Sequence, residues 1–191
     1  MRGPQITSTA NGLIITANTT YGNIFAYHKE GSSKWSKATK VNDADSVSKE
    51  ALMALSADGL NAFAVWLDTR GNNGKGQRLY GAQSKDGGKT WSKNILVYSS
   101  PDKTTCECCK PSVVVKGNTI HAMFRNWLNG NRDLYLISSS NGGKTFGQAQ
   151  KLGVGSWKLN GCPMDGGGLA VDKKGTPETV WRREGKIFKS S

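Results

Sequence analysis

The chain has 191 residues, of which 24 are glycine and five are proline, a length suited to one domain and a composition suited to short strands and tight turns. Its net charge of +12, from 26 basic and 14 acidic residues, indicates either a basic surface or attraction to an acidic ligand. No basic helix or RNA-type aromatic platform accompanies that charge, so we expect no nucleic-acid partner. The apolar stretches are of strand length, which excludes a transmembrane helix, and we expect no membrane partner.

The first nine residues, MRGPQITST, lack the apolar core of a signal peptide. On the sequence alone the protein is either cytoplasmic or lacks a leader that belongs to a longer gene product. In the second case an extracellular or periplasmic location follows, so the sequence leaves the localisation open.

Four segments along the chain share one pattern, in which two short apolar stretches flank a turn that contains glycine. Alternation of apolar and polar residues on both sides of such a turn predicts a pair of antiparallel strands. The segments are ITSTANGLIITAN (6–18), LMALSADGLNAFAVWLD (52–68), SVVVKGNTIHAMFRN (112–126) and GLAVDKKGTPETVWRR (168–183).

A second pattern is the octet SKDGGKTW (84–91), which recurs as SSNGGKTF (139–146) and, in weaker form, as EGSSKW (30–35). The ending GGKT resembles part of a phosphate-binding loop, but the glycine that such a loop requires five residues earlier is missing, which excludes nucleotide binding. The glycines and the Asx side chain instead predict hairpin tips. We expect a new strand to begin at Thr90-Trp91 and at Thr145-Phe146.

The octets repeat every 55 or 56 residues and the strand pairs recur at a broadly similar spacing, so each unit contains four antiparallel strands. Sheets this small bury both faces only by stacking on their neighbours, as the blades of a β-propeller do. The sequence therefore predicts an all-β chain with about three and a half propeller blades in one domain, residues 1–191. The predicted repeats are 1–48, 49–105, 106–160 and 161–191.

The octets also carry a resemblance to a known family. SKDGGKTW matches the Asp box, S-x-D-x-G-x-T-W, at every defined position, and SSNGGKTF is similar to it. Asp boxes at this period resemble those of the sialidase (neuraminidase) superfamily, six-bladed propellers with BNR repeats. The resemblance implies structural roles, on blade hairpins away from the central site, for Asp86, Gly88, Thr90, Trp91, Asn141, Gly143, Thr145 and Phe146.

A six-bladed ring at this period needs roughly 330 residues, more than the chain has. The sequence therefore predicts either a fragment of a longer protein or a half ring that closes as a homodimer.

Sialidases hydrolyse terminal sialic acids, and three arginines clamp the carboxylate of the substrate. Planar guanidinium groups suit that task because they pair bidentately with carboxylates. The resemblance implies that Arg2 (in RGP), Arg125 (in MFRN) and either Arg182 or Arg183 form such a clamp for an acidic glycan.

The catalytic groups of the family match less well. The resemblance implies that Asp68 is the acid, with Arg70 beside it as a further ligand-binding residue, although Asp68 can equally cap a turn or pair with Arg70. The glutamate that activates the nucleophile falls on Cys109 or Lys110, and none of the five tyrosines lies where the nucleophile is expected. We therefore expect a protein that binds acidic glycans and hydrolyses them only if the ring is complete. The alternative is a non-catalytic binding module with a cysteine-rich channel mouth.

The four cysteines fall in two clusters one repeat apart, Cys106, Cys108 and Cys109 in TTCECCKPS and Cys162 in NGCPMDGG. Because equivalent positions of neighbouring blades adjoin the central channel, we expect the four side chains to meet. Three states are open: a disulfide from Cys162 to the first cluster, a thiolate site for zinc or copper as cofactor, or free buried thiols.

Asp165 follows Cys162 by three residues and precedes three glycines. Glycines allow another chain segment or a ligand to come close. We therefore expect Asp165 either to point toward the channel mouth as a ligand-binding residue or to lie in a tight turn.

Overall fold

A computed structural model describes residues 3–70 and 75–191. Within these residues the regular structure consists of β-strands in four antiparallel sheets, each with its strands in chain order. The described strands are β1 (Gln5–Ser8), β2 (Gly12–Asn18), β3 (Ile24–Glu30), β4 (Thr39–Lys40), β5 (Met53–Asp58), β6 (Asn61–Asp68), β7 (Arg78–Ser84), β8 (Ile95–Tyr98), β9 (Ser112–Lys116), β10 (Thr119–Arg125), β11 (Leu134–Ser139), β12 (Gln150–Lys151), β13 (Gly168–Val171), β14 (Pro177–Arg183) and β15 (Lys186–Ser190).

Three sheets have four strands and the last has three, β13 to β15. Each sheet lies within one of the four predicted repeats. The first strands of successive sheets contact one another, β1 with β5, β5 with β9 and β9 with β13. An all-β chain with three full propeller blades and part of a fourth was predicted, and this architecture confirms it.

The apolar core lies between the sheets. Trp66 and Met53 of the second sheet are buried against Ile24 and Ala26 of the first. Strand β6 has seven buried residues in succession because both of its faces are covered by neighbouring sheets. Similar clusters join the second sheet to the third and the third to the fourth.

The octets form the expected turns between third and fourth strands. The Asp86 carboxylate accepts hydrogen bonds from the backbone amide of Thr90, at 2.9 Å, and from the Ser84 hydroxyl, at 2.8 Å. In the later octet Asn141 replaces the carboxylate, and its side-chain oxygen accepts from the Thr145 amide at 3.0 Å.

The expected starts of the fourth strands are wrong by about four residues. Strand β8 begins at Ile95 and β12 at Gln150. The reason is that the side-chain bonds of Asp86 and Asn141 keep the threonine in the turn. The aromatic that follows each threonine packs on the core instead, Trp91 on the cluster between the first two sheets and Phe146 on the next.

Two octet glycines are required by close packing. Gly88 has a φ of +90°, and a Cβ there would lie 2.8 Å from a side-chain carbon of Ile14. Gly143 has a φ of +83°, and its Cβ would lie 2.6 Å from the ring of Phe63. Each tip therefore sits directly on a buried side chain of the preceding sheet.

The sheets form an open arc. Apolar side chains are exposed on its first sheet, at Ile6, and on its last, at Val180 and Ile187. Closure by a second copy stays a prediction, and light scattering would distinguish a monomer of 20.5 kDa from a particle of twice that mass. Among the described residues, no helix has the length and apolarity needed to cross a membrane.

Candidate functional site

Three of the predicted site residues lie at the ends of second strands. Asp68 ends β6, Arg125 ends β10 and Arg183 ends β14. Because the sheets repeat one topology, these three ends lie on the same side of the arc. Arg2 lies outside the described residues.

Arg125 is almost fully buried, with only 1% of its surface exposed. Its Nη2 lies 2.5 Å from a carboxylate oxygen of Asp165. Its Nη1 donates to the backbone carbonyl of Arg132 at 2.7 Å, and its guanidinium lies 5.4 Å from the ring centre of Trp157. A buried guanidinium needs such partners, since an unpaired buried charge is costly.

Asp165 joins a second arginine to the first. Its other carboxylate oxygen accepts a hydrogen bond from Nε of Arg182 at 2.8 Å. The Arg182 side chain is about half exposed, whereas Asp165 is mostly buried. We call Arg125, Asp165 and Arg182 the carboxylate clamp, because one carboxylate is held between two guanidinium groups.

Arg183 points elsewhere. Successive residues of a strand face opposite sides, so Arg183 leaves the clamp while Arg182 enters it. The Nη1 of Arg183 donates to the carbonyl of Val154 at 2.8 Å, and its guanidinium lies 4.4 Å from the ring centre of Phe188. Of the two arginines between which the sequence left the choice open, Arg182 is the one whose side chain lies against Asp165.

Asp68 is fully buried in a separate network. One of its oxygens accepts from the indole nitrogen of Trp66 at 2.8 Å and from Nη2 of Arg70 at 2.9 Å, and the other accepts from the Arg70 amide at 2.8 Å. Arg70 also reaches Asp43. Both oxygens of Asp68 are therefore engaged, which favours the pairing role over the acid role that the resemblance implies. Arg70 is likewise held by aspartates.

The cysteines meet as expected, beside the clamp. Cys108 and Cys162 form a disulfide, with 6.3 Å between their Cα atoms, which corresponds to the first of the three states that the sequence left open. Cys106 and Cys109 are free and buried, and their Sγ atoms are 3.2 Å apart. We call these four residues the cysteine cluster.

Arg132, which sequence reasoning missed, lies against this cluster. Its Nη1 donates to Sγ of Cys106 at 3.0 Å, and its guanidinium stacks 3.9 Å from the ring centre of Trp127. The hydrogen bond between Cys106 and Cys109, together with the charge of Arg132, lowers the pKa of Cys106 to about 6 despite its burial. The hydrogen bond to Cys106 and burial raise the pKa of Cys109 above its ordinary value. Of the two thiols, Cys106 is the one whose thiolate form these surroundings favour.

The disulfide also bears on the predicted metal. The Sγ atoms of Cys106, Cys108 and Cys109 lie within 4.8 Å of one another. A structural zinc site, however, needs four ligands such as thiolates, and the sulfurs of a disulfide are not thiolates. With two thiols remaining, the cluster does not fit a four-sulfur zinc site in this state.

A cleft of about 350 Å³ adjoins Asp165. Lys110 and Ser112 line one side, and the segment Met164 to Gly167 lines the other. A Cβ at Gly166 would lie 2.3 Å from the carbonyl oxygen of Lys110, so the glycine run allows two chain segments to meet here, as expected. The cleft gives a ligand room beside the clamp and beside a basic side chain.

The fold is shared with propeller glycoside hydrolases. The match to the Hadza microbial sialidase Hz136 covers 99% of this chain and 44% of the sialidase, with a TM-score of 0.62 and 14% identity. The match to Zg3597, a family 117 glycoside hydrolase from Zobellia galactanivorans, covers 99% of this chain and 66% of that hydrolase, with a TM-score of 0.56 and 11% identity. The match to the GH32 β-fructofuranosidase BmSUC1 of Bombyx mori covers 95% of this chain and 41% of that enzyme, with a TM-score of 0.54 and 13% identity.

These likenesses show that the chain has a sialidase-like β-propeller fold. At such identities they show the fold alone, and the chain spans less than two thirds of the length of each of the three proteins. No protein-family model and no curated protein sequence matches the chain.

Proposed function

We propose that this chain binds acidic glycans, with terminal sialic acid as the leading candidate, through the carboxylate clamp. The observation that carries the proposal is the Asp165 carboxylate, which accepts from Arg125 with one oxygen and from Arg182 with the other. Two guanidinium groups that hold one carboxylate from two directions are suited to hold another of the same geometry.

The ligand carboxylate takes the place of Asp165. Arg125 is buried behind Asp165, so a ligand reaches it only when that side chain moves aside. Arg182 is half exposed at the surface and meets the ligand first. The body of the sugar then occupies the cleft between Lys110 and Gly167. Binding is therefore an exchange of one carboxylate for another, and a modest affinity is expected.

The proposal is for binding and not for hydrolysis. The positions where the resemblance expects the activating glutamate hold Cys109, a buried thiol, and Lys110, a basic residue at the cleft. Neither can act as the carboxylate base that such a mechanism needs. Asp68, the residue matched to the acid, has both oxygens engaged. These features support the non-catalytic alternative raised by the sequence.

The test compares two sugars that differ by the acidic residue alone, sialyllactose and lactose, by titration calorimetry on the full chain. We expect measurable binding of sialyllactose and none of lactose. Arg182→Gln removes one charge-assisted hydrogen bond, worth about 1.5–3 kcal/mol, so affinity should fall about tenfold or more.

The control is Arg183→Gln, because that neighbouring arginine faces away from the clamp. It should leave the affinity within about twofold, a change under 0.5 kcal/mol. Equal binding of both sugars, or an unchanged affinity in the Arg182 variant, would refute the proposal. A fluorogenic sialoside should not be turned over.

A further inference from the structure

The cysteine cluster contains a thiol pair in contact with a disulfide. Sγ of Cys106 lies 3.2 Å from that of Cys109 and 3.6 Å from that of Cys108, which is one half of the Cys108–Cys162 bridge. Thiols exchange with disulfides when a thiolate attacks one sulfur of the bridge. The attacking and attacked atoms are thus neighbours already, inside one chain.

The cluster also distinguishes the attacking thiol. Arg132 donates to Sγ of Cys106 at 3.0 Å, and a guanidinium stays charged in any protein environment, so it favours the thiolate at this residue. Cys109 would form a disulfide with its immediate neighbour, Cys108, in a strained short ring. Cys106 is separated from Cys108 by one residue and avoids that ring.

Cys162, the other half of the bridge, is well placed to act as the leaving group. Cys162 is exposed, whereas Cys106 and Cys109 are buried. A thiolate released at Cys162 enters water and takes up a proton there. The segment that follows holds Met164 in a left-handed conformation, with φ of 51°, which side chains other than glycine seldom adopt. The bridge to Cys108 and the ion pairs of Asp165 anchor this segment on either side of Met164.

We propose that the cysteine cluster is a thiol–disulfide exchange site in which Cys106 is the nucleophile and Cys162 the leaving group. The Cys106 thiolate forms a bond to Sγ of Cys108, the Cys108–Cys162 bond breaks, and Cys162 leaves as a thiolate that takes a proton from water. In a second step Cys109 gives up its proton and bonds to Cys106, and Cys108 leaves as a thiolate and is protonated. One disulfide and two thiols are present throughout, so no external oxidant is needed.

The product is a second arrangement of the same four sulfurs. Cys106 and Cys109 are joined through a C-x-x-C bridge, while Cys108 and Cys162 carry thiols. The tether between the start of the third blade and the segment of Asp165 is then open. The exchange stands on the cysteine geometry and does not depend on the proposed glycan binding.

The experiment is native-state labelling of the purified chain, without reductant, by N-ethylmaleimide, followed by denaturation, trypsin digestion and mass spectrometry. Trypsin leaves the first three cysteines on one peptide, 104–116, and Cys162 on another, 159–173. Before exchange the two peptides are disulfide-linked. Each exchange exposes the Cys162 thiol, which the reagent traps, so labelled peptide 159–173 should accumulate in a first-order process whose rate is independent of protein concentration.

Two variants that each remove one thiol of the buried pair are the matched controls. Cys109→Ser keeps the first step and should still release Cys162, whereas Cys106→Ser should lower labelling at least tenfold. Arg132→Gln should slow the labelling of Cys162 relative to the wild type, and Arg183→Gln should not. Equal labelling of the two serine variants, a rate that rises with protein concentration, or a wild-type peptide 159–173 that stays unlabelled would each overturn the proposal. The concentration dependence of the rate and the labelling of peptide 159–173 are both measured on the wild type, so these two tests do not depend on whether any variant folds.

Discussion

The backbone amide of Cys106 donates a hydrogen bond to the backbone carbonyl of Arg125 at 3.0 Å. The cysteine cluster and the carboxylate clamp therefore share one strand end. The second connection between them runs through the chain, because Cys162 precedes Asp165 by three residues. Both sides of the clamp are thus anchored at the same cluster, and a change in the sulfur bonds bears directly on the position of the Asp165 carboxylate.

The first prediction concerns the cost of removing that carboxylate. Asp165→Asn keeps the size of the side chain and leaves the buried guanidinium of Arg125 without its counterion, although the carbonyls of Arg132 and Arg182 still accept from it. We expect a loss of about 1–3 kcal/mol in the free energy of unfolding, measured by urea denaturation.

The matched control is Asp45→Asn, which breaks the exposed ion pair with Lys40. That change should cost about 0–1 kcal/mol, because water already solvates both groups. If the two variants lose the same stability, the Arg125–Asp165 pair is no stronger than a surface pair. If the clamp binds acidic glycans, Asp165→Asn should also bind sialyllactose more tightly than the wild type, since the competing carboxylate is gone.

The second prediction separates backbone strain from collision at two turn glycines, Gly143 of an octet and Gly117 between β9 and β10. Gly143→Ala combines a positive φ with a Cβ placed 2.6 Å from the Phe63 ring. Gly117→Ala has a similar φ, of +57°, with nothing within 4 Å of its Cβ. We expect a loss of about 1 kcal/mol for Gly117→Ala from strain alone, and about 2–4 kcal/mol for Gly143→Ala. Thermal unfolding of both variants measures the difference. Equal losses would show that the packing around Phe63 adjusts to the added methyl group without a loss of stability.

The third prediction concerns the effect of pH on stability, and each of the two octets serves as the control for the other. Partial burial opposes ionisation of Asp86, but hydrogen bonds from Thr90 and Ser84 outweigh it and hold the pKa below its usual value. A carboxyl group whose pKa falls on folding stabilises the protein above its unfolded pKa, and this contribution is lost as pH falls through the lower, folded pKa.

The substitution Asp86→Asn should therefore make stability less sensitive to acid. Asn141 shows that an amide serves in the same turn, because its Oδ1 accepts from the Thr145 amide and its Nδ2 donates to the Thr145 hydroxyl. The converse change, Asn141→Asp, should make stability more sensitive to acid. Urea midpoints at pH 7 and at pH values below about 4 provide the comparison. Parallel pH profiles for wild type and Asp86→Asn would contradict the role given to this carboxylate.

How far the sequence could predict this molecule depends on the periodicity of each feature. The octets and the strand pairs repeat, so blades, turns and their order followed from spacing alone. The fourth strands did not, because side-chain hydrogen bonds to Thr90 and Thr145 extend each turn beyond the point at which residue type favours a strand.

The site was less predictable because its partners lie in loops without a period. Arg132 lies in the connection between β10 and β11 and Trp157 in the connection between β12 and β13, and no motif marks them as neighbours of Arg125. The sequence brought the cysteines together but could not choose which member of C-x-C-C bonds to Cys162. That choice depends on side-chain direction, which leaves Cys108 partly exposed and the other two cysteines buried.

The last prediction connects the sulfur bonds to the proposed glycan binding. The Cys108–Cys162 bridge restricts the segment that carries Asp165, and a restricted carboxylate competes with a ligand at a high effective concentration. Cys162→Ser opens the tether without touching the clamp, so Asp165 spends less time between the arginines. We expect sialyllactose affinity to rise about 3–10-fold, a change of about 0.7–1.4 kcal/mol, by the same calorimetry. Cys109→Ser, which keeps both cysteines of the bridge, should change the affinity little. A fall in affinity for Cys162→Ser would mean that the bridge holds the clamp in its binding geometry, and the competition between the two carboxylates would then be the wrong description of the site.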